Sequence, residues 1–432
     1  MIVSGEWLLP VVGDPIRHGA VRITGSRIGE VGTFKALTRA YPNETTHDHP
    51  GCVIAPGLVN GHTHLSLSSM LGLLPPGEFS TWISNVAPAV QALDHDDFAD
   101  AAAYGALECL RSGVTAVGDI AYGPEAPAAA ADTGIGGVFF WELLGMTAEQ
   151  LPEALSSRDF PTESVACGGR TLCGISPHTP YTAGPGLIQA GYAYARDHGY
   201  AFAIHAAEST AEARLLMAGE GPLRESAGRL APDFVAPGTG TVRYLEHLGV
   251  LRDTIAVHCV QLMSGEPELL AAHARGVVLC PRSNRYLLNG KPPVAALIQA
   301  GVRLGLGTDS LASNETLDLF EEARELLTID PGLSTTRTLE IMTLEGAQVL
   351  GIDRDYGSLE SGKYADIIAV EVSDTNDPAS ALVREGSPAR VRSVITGGVW
   401  RLLDGRMAFL TKEIEQRSAR VTEKAARALR TR

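Results

Sequence analysis

The sequence predicts an α/β fold, a (β/α)8 TIM-type barrel with a small composite β-sandwich domain formed by both chain ends. Three observations carry that expectation. Eight short apolar runs alternate with Ala- and Leu-rich helical stretches through the middle of the chain. The two ends read instead as strands and turns, with β-branched alternation broken by Gly, Pro and Asn. At 432 residues the chain also has room for a barrel of about 250 residues and an accessory domain.

Taken in order, the first fifty residues give MIVSGEWLLPV and AVRITGSRIGEVG as strands, then a break at YPNETTHDHPG. From Val53 to about Ala347 the apolar runs are VIAPGLVN, VTAVGDI, IGGVFFWELL, TLCGISP, AFAIHA, TIAVHC, GVVLCP and VRLGLGTD. Helical stretches such as DHDDFADAAAYGALECLRSG, PGLIQAGYAYARDHG and PVAALIQAG fall between them. Alternating strand and helix implies parallel strands with helical crossovers. Strands buried on both faces read as continuous apolar runs, as these do. The tail returns to strands, YADIIAVEV and ARVRSVITGGVWRLLDGRM, with GG and DG turns. A charged helix, TKEIEQRSARVTEKAARALR, ends the chain. The expected organisation is a small β domain from residues 1–54 and 355–410, a barrel over 55–354 and a C-terminal helix over 411–432.

Composition narrows the function. Hydrophobic residues make up 45% and charged residues 20%, which suits a large globular core. The net charge of −15 argues against nucleic acid and anionic membranes as main partners and leaves a small-molecule substrate. No apolar run approaches the ~18 residues of a membrane span. The N-terminus lacks a basic region and a cleavage site, so a cytoplasmic location is expected. The six cysteines are scattered without a C-x-x-C pair, and are expected to be reduced, buried thiols. No separate interface signature is present, and a homo-oligomer is left open.

The placement of histidines carries the chemistry. His62 and His64 follow the first barrel run as H-x-H, and residues two apart on an extended segment project to one side. His205 ends the fifth run, His258 the sixth, and Asp309 the eighth. In a barrel all strand C-terminal ends face one mouth, so these groups converge. His62, His64, His205 and Asp309 are therefore expected to hold one divalent ion, zinc first and iron(II) as the alternative. His47 and His49 also form H-x-H, but with no apolar strand before them they read as a polar turn. Glu208, three residues past His205, can swing its carboxylate over the open metal position and carry a proton.

PGLVNGHTHLS, SPHTPYT, HAAES, VHCVQL, SNRYLLNG, GTDSLASNETLDL and GSLESGKYADII together resemble the amidohydrolase superfamily, in its cytosine-deaminase-like branch. That branch includes S-adenosylhomocysteine/methylthioadenosine deaminases, aminodeoxyfutalosine deaminases and triazine hydrolases. The resemblance implies a mononuclear site, since SPHTPYT lacks the bridging lysine of binuclear relatives. It implies Glu208, His258 and Asp309 as catalytic groups and hydrolytic deamination of a 6-aminopurine nucleoside, with ammonia released. His178 corresponds to a substrate-contacting histidine. Asn284 and Ser310 lie in the same motifs, Trp82 in the stretch LPPGEFSTWI, and all three join it as candidates for substrate contact. Ser80 and Thr81 precede Trp82 where nucleoside-deaminating relatives carry a glutamate for the ribose; Glu78 lies further upstream. Arg282 and Arg285 are unusual cations near the mouth that could pair with a substrate carboxylate, which favours aminodeoxyfutalosine. Triazine, other chlorinated-heterocycle or guanine-type hydrolysis is the alternative chemistry. A non-catalytic ligand-binding barrel is the alternative class.

Overall fold

In the computed structural model, which describes residues 1–160, 169–224 and 234–430, each of the eight apolar runs contributes a strand to one sheet, the first run also giving residues 53–56 to the sheet of the small domain. The barrel strands are Leu58–Thr63, Val114–Ala121, Gly136–Leu143, Thr171–Pro177, Ala201–Ala206, Thr254–His258, Gly276–Leu279 and Leu304–Leu306, in that spatial order. Every neighbouring pair is parallel. The eighth strand returns to the first through a Thr63–Asp309 bridge, where the Asp309 N–H donates to the His62 carbonyl at 3.0 Å. Barrel closure and the expected metal ligands thus share one contact.

The barrel interior is filled rather than hollow. Val59, Ile120, Val138, Phe140, Ala203, Val257 and Val278 form one buried cluster, joined by Ala347, Val349 and Leu350 of the helix Leu344–Leu350. A larger cluster seals the outer strand faces against the helices. Local signals place those helices. Asp94 caps His95–Arg111 through a reciprocal capping box with Asp97, satisfying N-terminal donors that would otherwise lack partners. Its Ala101, Ala102, Ala106 and Leu110 face is buried.

Both chain ends build the small domain as one mixed nine-stranded sheet. Its long strand Thr46–Pro56 pairs in parallel with Ile2–Leu8 and antiparallel with Ile367–Glu371, which stitches the two ends together. A single residue, Gly57, separates that strand from the barrel. A Cβ there would sit 2.0 Å from Thr115 Oγ1, so the tight entry requires glycine. The last helix, Thr411–Arg430, lies against the segment after the first barrel strand. Its Val421 and Ala425 pack with Leu67, Met70 and Val86, and its Ser418 hydroxyl bonds Ser69 at 2.8 Å.

Two expectations are corrected. His47 and His49 lie in the strand Thr46–Pro56, not in a turn, and both pack near Trp400. Alternation beside a parallel partner strand outweighed the polar composition. Cys52, Cys109, Cys259 and Cys280 are free and buried, but Cys173 is disulfide-bonded, against the expectation of reduced thiols throughout. Cys167 lies outside the described residues. No helix among the described residues is long and apolar enough to cross a membrane.

Candidate metal centre and active site

The strand ends bring the histidines together. His62, His64 and His205 each offer a ligand atom, and these atoms lie within 4.8 Å of one another. All three imidazoles are buried. Asp309 Oδ1 sits 3.7 Å from His62 Nε2 and 3.5 Å from His64 Nε2. Its other oxygen is already engaged, accepting from Ser283 Oγ at 2.6 Å and Ser313 Oγ at 2.9 Å. One carboxylate oxygen is anchored, and the one facing the histidines takes a further bond from the Ser310 N–H at 2.8 Å. Gly307 lets the eighth strand come this close, because a Cβ there would meet His62 Cβ at 2.7 Å.

The donor set fits a divalent cation. The His205 Nδ1–H donates to the His178 carbonyl at 2.7 Å, which fixes the tautomer and leaves Nε2 with its lone pair. His62 Nε2 is buried without a hydrogen-bond partner, an arrangement that is costly unless an ion or ligand satisfies it. Burial, reinforced by His62, holds His64 down to about 3. Burial and the neighbouring imidazoles likewise hold His205 well below its ordinary value. Neutral imidazoles are the form that binds metal. For Asp309, burial works against ionisation, yet the facing His62 and His64 hold its carboxyl well below the usual range.

Beside this cluster stand two groups suited to proton transfer. Glu208 Oε2 lies 3.9 Å from His258 Nε2. Burial pushes the Glu208 carboxyl well above its ordinary value, and nearby Asp309 and Glu212 add to the effect. The Glu208 backbone is held by Glu212, whose carboxylate accepts from Ala207 N at 2.9 Å and Glu208 N at 2.8 Å. His258 Nδ1 bonds Asn284 Oδ1 at 3.1 Å, aiming Nε2 at the mouth. Ala207, His258 and Asp309 all occupy left-handed backbone, with φ of 51°, 72° and 58°. Non-glycine residues adopt that region at a cost, and such strain clusters at functional sites.

His178 and Ser310 line the cleft, and Trp82 lines it through its ring while its Nε1–H donates to the Ala312 carbonyl at 2.9 Å. The helix Phe79–Gln91 roofs the cleft with Phe79, Trp82, Ile83, Val86 and Val90. Asn284 is brought to the site but orients His258 instead of lining the cleft. Arg282 and Arg285 are not brought in. Arg282 pairs with Glu315 at 2.8 Å and Glu321 at 3.2 Å, and Arg285 pairs with Glu325 at 2.5 Å. Own-chain acids on or beside the helix Leu319–Ile329 take both guanidinium groups. Glu78 is exposed, just before the roof helix.

Sequence reasoning missed Ser283, Ser313, Asn289, Glu212 and Tyr122, the last of which lines the cleft. Ser283 and Asn289 sit inside SNRYLLNG and Ser313 inside GTDSLASN, so the motifs flagged the segments but not the contacts. Asp119 was missed as well. It is fully buried on the second strand, its Oδ1 accepting from Leu65 N at 2.7 Å and its Oδ2 unpartnered. Burial raises it to about 7. An unfolded aspartate titrates near 3.9, so the folded chain binds the extra proton between those values, and stability falls as pH rises through that window. Asp119→Asn should flatten this slope in thermal unfolding between pH 4.5 and 8. Identical slopes in the two proteins would show that Asp119 is not held protonated.

The comparisons with known proteins concern the chain and the fold as a whole. The sequence profile of the amidohydrolase family matches residues 53–401. The chain is 30% identical over 416 residues to a 5-methylthioadenosine/S-adenosylhomocysteine deaminase of Pelotomaculum thermopropionicum, covering 92% of each protein. It is 31% identical over 434 residues to a 5'-deoxyadenosine deaminase of Methanothermobacter thermautotrophicus, covering 96% of this chain and 95% of that one. In fold it is similar to a zinc-bound adenosine deaminase from Xanthomonas campestris, with a TM-score of 0.84 and 24% identity over 100% of this chain and 98% of that one. It is also similar to the Helicobacter pylori aminofutalosine deaminase bound to methylthio-coformycin, with a TM-score of 0.81 and 22% identity over 92% and 99%. With its strand-end histidines gathered at the barrel mouth and the family profile spanning the barrel, this chain belongs to the amidohydrolase family.

Proposed function

We propose that the protein is a metal-dependent hydrolytic deaminase that releases ammonia from a 6-aminopurine nucleoside. The observation that carries the reading is the pairing of two functions at one mouth. A desolvated histidine–aspartate cluster stands beside a buried carboxylate, Glu208, and an imidazole, His258, 3.9 Å apart. The 30% and 31% identical relatives, both named as deaminases of adenosine derivatives, support the reaction class.

His62, His64, His205 and Asp309 would hold the ion. A divalent cation bound there supplies Lewis acidity and makes water a nucleophile near neutral pH; zinc is favoured, with iron(II) as the alternative. Glu208 accepts a proton from the attacking water and delivers it to a ring nitrogen, which makes the adjacent carbon electrophilic. His258, kept neutral by burial that lowers it to about 4, orients the incoming oxygen through Nε2. Asp309 Oδ1 receives the proton of the new hydroxyl and passes it to the departing amine. The mixed roof of Phe79 and Trp82 covers the ring and an apolar substituent. His178, whose Nδ1 lies 2.7 Å from Thr182 Oγ1, is oriented toward the substrate edge.

Aminodeoxyfutalosine loses its expected advantage, because Arg282 and Arg285 are occupied. A thioether- or deoxy-substituted adenosine fits the apolar roof without a cation. A second reading draws on the same roof: an aminated or halogenated heterocycle without a sugar, for which the exposed Glu78 is no obstacle. Zinc-loaded protein should release ammonia from methylthio- or deoxyadenosine faster than chloride from chlorotriazines. Ammonia release from none of a panel of adenosine derivatives would sink the leading reading, and chloride release alone would establish the second.

A further inference from the structure

The segment after the seventh strand contributes none of the acid–base groups or metal-type ligands, yet it touches three of them. Ser283 bonds Asp309, Asn284 bonds His258, and Asn289 Nδ2 donates to Glu208 Oε1 at 3.0 Å. Those three partners arise from the eighth, sixth and fifth strands. Ser283 and Asn284 belong to a short helix, Pro281–Tyr286, whereas Asn289 lies beyond it.

We infer that Asn289 is a positioning residue for Glu208, turning one carboxylate oxygen away so that the other faces the reacting centre. This rests on Glu208 being the proton carrier. The Glu212 carboxylate fixes the Glu208 backbone, but a glutamate side chain keeps three rotatable bonds. The Asn289 amide is what restrains the far end. Asn289 is itself buried and held at both ends: its carbonyl accepts from Gln261 Nε2 at 2.6 Å, and its N–H donates to the Asn284 carbonyl at 2.8 Å. The turn that delivers it is strained. Leu288 takes left-handed backbone at φ 54° and leaves its side chain 61% exposed, an unfavourable choice for a leucine on both counts. The chain accepts that arrangement and gains an inward-pointing Asn289.

The amide is chemically apt. A neutral donor supports Glu208 when ionised and can still bond its carbonyl oxygen when protonated, so both halves of a proton relay are accommodated. A lysine would hold the carboxylate ionised, and an aspartate would repel it.

Asn289→Asp keeps the shape and removes the donor; Asn289→Ala removes both. In metal-loaded enzyme both should lower kcat by roughly 10–100-fold, with KM within about threefold and metal content unchanged. Crystal structures of both variants should show the Glu208 carboxylate turned from its wild-type position. Wild-type kcat in Asn289→Asp would overturn the inference, as would an unmoved Glu208 in Asn289→Ala. Loss of metal together with activity would also overturn it, assigning Asn289 to the scaffold instead. Should wild type turn over no aminated heterocycle, the functional reading fails, while the crystallographic comparison still decides the role of Asn289.

Discussion

Glu208→Gln will lower kcat by roughly 10²–10⁴-fold, the range a positioned general acid–base supplies. The substitution is nearly isosteric. The glutamine carbonyl can still accept from Asn289, as Glu208 Oε1 does at 3.0 Å. What disappears is a group that can take a proton and return it. Metal content should stay at that of the wild type, because Glu208 stands outside the His62, His64 and His205 cluster. Thermal stability should not fall and can rise, since a buried carboxyl disfavoured by desolvation is replaced by a neutral amide. Ammonia release, metal analysis and a melting curve on one preparation separate these effects. Undiminished turnover would remove Glu208 from the mechanism, and loss of fold would make it structural.

Removing the ion is expected to abolish turnover. Dialysis against a strong chelator should yield inactive wild-type protein that recovers on adding zinc or iron(II). His205→Ala should bind metal weakly and resist recovery at the same concentration, because it removes the imidazole whose bond from Nδ1 to the His178 carbonyl presents Nε2 to the cluster. Chelation should also lower the melting temperature in a metal-concentration-dependent way. An ion at 100 times its dissociation constant stabilises the folded state by about 2.7 kcal/mol. Full turnover by protein shown to be metal-free would refute the metal centre. Equal metal content in His205→Ala would take His205 out of the ligand set.

Much of the site was legible because its signals are local. A histidine ending an apolar run can be read from a dozen residues, and a parallel barrel then carries every such strand end to one mouth. That is why His62, His64, His205, His258 and Asp309 could be grouped although 247 positions separate His62 from Asp309. Arg282 and Arg285 show where local signals stop. Sequence placed two cations near the mouth, but a guanidinium binds whichever carboxylate its long side chain reaches first. Here Glu315, Glu321 and Glu325 pair with them. Asn289 shows the converse. Nothing in LLNG announces a contact with a glutamate 81 positions earlier.

The sequence by itself determined the strand–helix alternation, the composite domain at the chain ends and the residue types at each strand end. These follow from apolar periodicity and from which side chains can ligate metal or carry protons, properties that short segments possess on their own. The tertiary structure alone decided which oxygen of Asp309 faces the histidines, which nitrogen of His205 keeps its lone pair, and which arginines are already paired. Each of those depends on hydrogen-bond partners supplied by different strands, and such partners exist only once the barrel has closed at Thr63 and Asp309.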